Sequence, residues 1–308
     1  MTEPSLMDRP ETTVAPAPDG AEGLWSDAWR EIRRRPLFWI GSVIIVVLLV
    51  MALLPSLFTS VDPRAADLAF SGQAPSAAAP FGYDLQGRDV YSRAIHGAAP
   101  TLLVGFLATL GSVLFGSLMG LIAGYASGWF DAVISRIAEI FAALPFVLGG
   151  IVLITAFIKP GQVVPEAQLL TLVVLTIVLL TWPLSMRIMR AAAITARQQD
   201  YVRAARALGA SPGRIMFRHM LPNCLAPVLV FATIQFGVNV SAEATLSFLG
   251  IGLRDPVVSW GVMIAESQDR IAQIPHAILF PAAFLVVTVL AFVMLGDALR
   301  DALDPRGR

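Results

Sequence analysis

DYVRAARALGASPGRIMFRHMLPN, running from Asp200 to Asn223, is a polar island between two long apolar runs. Asp200 is placed to N-cap a helix, and Tyr201 to Leu208 puts good helix formers behind it. Gly209 suits the left-handed residue that closes such a helix, with Ala210 following it. Ser211 before Pro212 reads as a second N-cap with proline at the first helical position, where its missing N–H costs nothing. The pattern predicts two short helices broken at Gly209 and ending at a Leu221-Pro222-Asn223 turn. Helices of this length do not stand alone in water, so the stretch is expected to dock on another protein. Arg203, Ala204, Ala205, Arg214 and His219 are its candidate contact residues, with His219 also placed to orient the second helix.

What flanks the island is membrane. The 308 residues are 56% hydrophobic and only 14% charged, too apolar for a soluble domain. A formal net charge of zero argues against a nucleic-acid surface. Six apolar segments each approach the roughly 20 residues that a bilayer crossing needs: about Leu37–Phe58, Thr101–Tyr125, Ala132–Ile158, Gln168–Ala191, Leu225–Phe248 and Ala277–Leu295. Most of the 22 Lys and Arg residues fall on one side of this arrangement, above all the run from Arg187 to Arg218. That bias predicts both termini and Asp200–Asn223 on the cytoplasmic side. The expected layout is a disordered cytoplasmic tail over 1–23 and a juxtamembrane amphipathic segment over 24–36. A first span over 37–58 and an outer loop over 59–100 follow. The core over 101–308 then carries five spans and the cytoplasmic loop 197–223.

Several features refine the picture. Gly116, Gly120 and Gly124 recur at one-turn spacing and predict close helix packing in the second span. Pro145 and Pro183 predict kinks in the third and fourth. In the fifth span Gln235, Asn239, Glu243 and Ser247 share one face. A carboxylate at that depth faces either a neighbouring helix or a water-filled path, and the stripe is the candidate pathway lining. Outside, Phe81, Tyr83, Asp84, Arg88, Asp89 and Tyr91 bunch before the second span. A short helix is expected after Ser259, with Trp260 as interfacial anchor. His96, His219 and His276 lie apart at no metal-ligand spacing, and Cys224 is alone, so no metal site is expected. The one lysine, Lys159, precedes Pro160 rather than Ser or Thr, so these residues hold no phosphate loop for ATP. No catalytic constellation is evident either, and the chain reads as a non-enzyme.

The island resembles the coupling loop of membrane subunits of bacterial ABC importers, in which Glu-Ala-Ala is followed three residues later by Gly. Here Arg203 stands in the Glu position, ahead of Ala204, Ala205 and Gly209. The tail HMLPN (His219–Asn223) is similar to the dipeptide, oligopeptide and nickel branch. So are EATLSFLGIGLRDPVVSWG (Glu243–Gly261), GYDLQGRDVYSR (Gly82–Arg93) and LGDALRDALDPR (Leu295–Arg306). The resemblance implies an all-α membrane bundle of the type I importer permease kind, forming half of a pathway for short peptides. It implies a second homologous permease as partner, most often a different chain. It also implies two ATPase subunits or one fused ATPase, which bind ATP and Mg, and an extracytoplasmic substrate-binding protein on the outer loops. The chain itself would bind no cofactor. Import of nickel or another small solute stays open, as does a self-contained secondary transporter, which would show an internal repeat and paired intramembrane carboxylates.

Overall fold

The computed structural model describes residue 30, residues 32–158 and residues 164–303. The tail over 1–23, most of the segment over 24–36 and Lys159 lie outside the described residues. The described residues are helical with connecting loops, and nine helices carry the architecture. They are α1 (Pro36–Leu53), α2 (Val90–Ala126), α3 (Gly128–Ala143), α4 (Phe146–Phe157), α5 (Glu166–Arg197), α6 (Asp200–Ala207), α7 (Pro212–Phe248), α8 (Trp260–Ser267) and α9 (His276–Leu303).

Five of these, α1, α2, α5, α7 and α9, are long and apolar enough to cross a bilayer. The third apolar segment is not one straight helix. It breaks into α3 and α4, bent by 93°. The cause is local: Leu144 precedes a proline and adopts the extended conformation that position favours (φ −74°, ψ 123°). Pro145, itself extended, then starts α4 afresh. At 12 residues α4 is about 18 Å long, well short of the roughly 30 Å hydrocarbon core. Pro183, by contrast, sits inside an unbroken α5.

The second span starts earlier than its apolar run. Asp89 accepts the backbone N–H groups of Tyr91 (2.8 Å) and Ser92 (3.3 Å), which fixes the start of α2 at Val90. Of the stretch from Asp62 to Pro100 that reads as loop, Val90–Pro100 is therefore the first part of α2 and the rest forms a folded cap.

The closest helix pair is α2 with α5, and the glycine spacing explains it. A Cβ on Gly120 would stand 2.4 Å from the Met186 carbonyl oxygen, and one on Gly116 2.5 Å from that of Trp182. Backbones pack where other helices would place side chains. α7 lies against α2, α5 and α9, and α1 lies along α9. Broad apolar faces stay exposed at bilayer depth, among them Val43, Val46 and Leu49 on α1 and Leu114 and Leu118 on α2. In water such faces would aggregate; in lipid they are the solvent-facing surface.

Candidate functional site

Between α5 and α7 the chain leaves the bundle, turns, and comes straight back. Gln199, not Asp200, is the extended N-cap residue of α6 (φ −75°, ψ 151°). Asp200 lies in the first turn, where a negative charge suits the helix dipole without a capping bond. Gly209 has φ +76°. Its N–H reaches the Arg206 carbonyl and that of Ala210 reaches Ala205, both at 3.0 Å, a Schellman closure. Ser211 then caps the next helix by accepting the Arg214 N–H at 3.4 Å, with Pro212 first in it.

The second short helix does not end at Leu221-Pro222-Asn223. It widens into a π turn over Ile215–Met220 and continues as the fifth span, making α7 one helix of 37 residues. The Leu221 N–H bonds back five residues to Met216, so the wider turn absorbs the N–H that Pro222 lacks. Asn223 donates its side-chain amide to the His219 carbonyl at 2.7 Å, bridging the same passage.

Only Val202 and Ala205 of α6 are buried, seated among Met189, Ala193, Ile215 and Cys224. Arg203, Ala204, Arg206 and Ala207 face outward, as do Ser211, Arg214, Pro222 and Asn223. Leu208 is 88% exposed and Phe217 53% exposed. These two apolar side chains stand in the open, Leu208 next to Gly209 and Phe217 in the first turns of α7, and the sequence reading passed over them. Their signal was present: large apolar residues in an otherwise polar, solvent-facing stretch.

The stripe on α7 is enclosed. Gln235, Asn239, Glu243 and Ser247 are each at most 2% exposed. Gln235 donates to Asn239 (2.9 Å), and Asn239 donates to the Thr109 hydroxyl on α2 (2.9 Å). Glu243 accepts from Ser247 (2.7 Å) and from Ser259 (3.0 Å), while the Leu253 N–H donates to Ser247 (2.9 Å). In this conformation the four side chains form a polar seam inside the subunit. The opposite face of α7 carries exposed Val238, Ser241 and Thr245. Their two hydroxyls are returned to the helix's own carbonyls at Gly237 and Ser241.

Ser259 is also the N-cap of α8, accepting the Val262 N–H at 3.2 Å. Trp260 is fully buried rather than an interfacial anchor, because its indole N–H finds the Ala94 carbonyl at 2.8 Å. The far end of α8 is held by charge. Arg88 and Arg93 both donate to the Glu266 carboxylate, at 2.6 and 2.7 Å, and Arg88 also donates to Asp84 at 2.7 Å. α8 is thus fastened at its start by Glu243 and at its end by two arginines of the outer cap. His276 joins the same cap through Tyr83, with Nε2 at 3.0 Å from its carbonyl.

Five helices long and apolar enough to span a bilayer, an apolar helix pair bent by 93° and a seated turn between α5 and α7 mark a multi-pass membrane protein. The chain belongs to the family described as binding-protein-dependent transport system inner membrane component, matched over residues 113–308, and so resides in the inner membrane. Residues 23–75 match the N-terminal TM domain of oligopeptide transport permease C. The dipeptide transport system permease protein DppC of Alkalihalophilus pseudofirmus is 37% identical, covering 96% of this chain and 95% of that protein. The oligopeptide transport system permease protein OppC of Bacillus subtilis is 34% identical over 92% and 90%. The glutathione transport system permease protein GsiD of Pectobacterium atrosepticum is 32% identical over 92% and 91%. Among solved structures, the inward-facing MetNI methionine ABC transporter shares the fold, with a TM-score of 0.55 at 20% identity. It covers 68% of this chain and 95% of that one. The family is of ABC importer permeases, non-catalytic membrane subunits that work with a partner permease, an ATPase and a binding protein.

Proposed function

We propose that this chain imports short peptides as one of two different permease subunits, with both termini and the Asp200–Asn223 stretch in the cytoplasm. The peptide cargo rests on the relatives that carry dipeptide and oligopeptide names. Two ATPase subunits, or one fused ATPase, bind ATP and Mg and dock on α6. An extracytoplasmic binding protein docks on the outer cap over residues 59–89 and 249–275.

The observation that carries the coupling reading is the continuity of α7. A short helix that closes at the exposed Leu208 turns at Gly209 directly into the rod that forms the fifth span, whose first turns carry the exposed Phe217. Anything that grips Leu208, Arg203 and Ala204 pulls on α7, with Ala205 holding α6 to the bundle. Pathway lining then falls to the open Ser241 and Thr245 face, while Gln235, Asn239, Glu243 and Ser247 carry movement of α7 to α2 and α8.

Site-specific crosslinking in the assembled transporter tests this. Leu208→Cys should crosslink to an ATPase subunit, and Leu68→Cys, 76% exposed on the outer cap, should not. The reverse pattern would place the stretch outside and remove the coupling reading.

A further inference from the structure

Beside α6 lies a cleft of about 490 Å³ with a strongly basic lining. Its walls are the ends of α2 and α5, the start of α3 and one side of α6, and its polar lining is Ser127, Asp131, Arg197, Gln198, Arg203 and Arg206. Asp131 is already neutralised: Arg190 donates to both carboxylate oxygens at 2.6 Å. Arg203 has one long contact to Asp200 at 3.5 Å. Among the described residues Arg197 and Arg206 have no carboxylate partner. The cleft therefore holds an excess of guanidinium groups around a space large enough for a phosphate and its substituents.

Its position selects the source of that phosphate. The cleft opens where two spanning helices end, at the edge of the apolar zone. Directly after Ser127 come Trp129, 71% exposed, and Phe130, 58% exposed, with ring centroids 5.1 Å apart. Such an aromatic pair is the amphipathic belt expected at headgroup depth. Further along α3, Ile137 and Ile140 are exposed and offer an apolar bed for an acyl chain. We propose that the Arg197/Arg203/Arg206 cleft seats the phosphate of an anionic phospholipid, with its acyl chains along the outer face of α3. Basic pockets between spanning helices at a membrane surface recognise lipid headgroups in this way. The leaflet, though not the binding chemistry, rests on the orientation proposed above. A lipid seated there touches Arg203 and Arg206 of α6 and so braces the coupling helix.

The test uses the full chain in mild detergent, titrated with phosphatidylglycerol or phosphatidylcholine and read by native mass spectrometry. Phosphatidylglycerol should be retained selectively, and the Arg197→Gln/Arg206→Gln double variant should bind it about 30-fold more weakly. Arg136→Gln, which removes an exposed arginine paired with Glu139 on the same helix as Trp129, should leave retention unchanged. An Arg197→Lys/Arg206→Lys variant keeps the charge but loses the planar fork, and should fall between. Equal binding by the double variant, or equal loss in Arg136→Gln, would overturn the site. Full displacement by inorganic phosphate would overturn the lipid assignment in favour of a free anion. A failed Leu208→Cys crosslink with lipid retention intact would count against the coupling reading alone.

Discussion

Replacing Gly209 separates strain from contact, because a Cβ there meets nothing within 4 Å. The whole cost of a side chain is conformational. At φ +76° an ordinary L residue loses about 1–2 kcal/mol relative to glycine, a roughly 5- to 30-fold shift away from the observed turn. Valine, branched at Cβ, belongs at the upper end, whereas asparagine tolerates the left-handed region. Gly209→Val should therefore assemble with its ATPase subunits, since Val202 and Ala205 still seat α6. It should nevertheless lose most peptide uptake in proteoliposomes, with ATP hydrolysis no longer tied to transport. Gly209→Asn should keep most of both. Normal uptake by an assembled Gly209→Val, or equal loss in the two variants, would refute the idea that this turn sets the pose of the coupling helix.

Other changes probe the bundle. Gly120→Leu pushes a side chain into the Met186 backbone carbonyl and should cost about 1–3 kcal/mol, read as a lower melting temperature of the detergent-solubilised chain. Glu243→Ala strips the acceptor from Ser247 and Ser259; a loss of about 1–3 kcal/mol and faster hydrogen exchange over α8 are expected, and unchanged exchange would deny the fastening role. Glu266→Ala leaves Arg93, 2% exposed, with only a 3.6 Å contact to Asp84. Breaking a buried pair in this way should destabilise by about 3–5 kcal/mol, measured as protease sensitivity of the outer cap. Swapping Ser241 and Thr245 for alanine should alter the rate or selectivity of uptake with little effect on melting, since both hydroxyls bond only within their own helix.

Features set by local chemistry were legible in the sequence. Ser211 capping, the left-handed Gly209, the Gly116/Gly120/Gly124 packing face and a short helix after Ser259 each follow from residue type and spacing alone. What escaped depended on partners distant in sequence. Nothing near Glu243 reveals that Ser259 will fold back onto it, so the enclosure of the stripe in this conformation could not be read from its spacing by four. Trp260 resembled a membrane anchor until the Ala94 carbonyl met its N–H across 166 positions. Pro222 looked like a stop, because a π turn is a rare answer to a missing donor. Pro145 was recognised as a kink, but a right-angle break is more than the proline's position alone specifies.

The length of α7 has a geometric consequence. Thirty-seven residues at about 1.5 Å each make a beam of roughly 55 Å, held against α9 at Thr233, Phe236 and Gly237 and against α2 at Asn239 and Val240. A stiff beam pivoted there cannot move one end without moving the other in the opposite sense. Displacing the Pro212 end by a few ångströms swings the Phe248 end back by a smaller amount, carrying Ser247, Glu243 and the start of α8. Opening on one side of the membrane and closing on the other would then be a single motion of one helix, needing no separate signal between them.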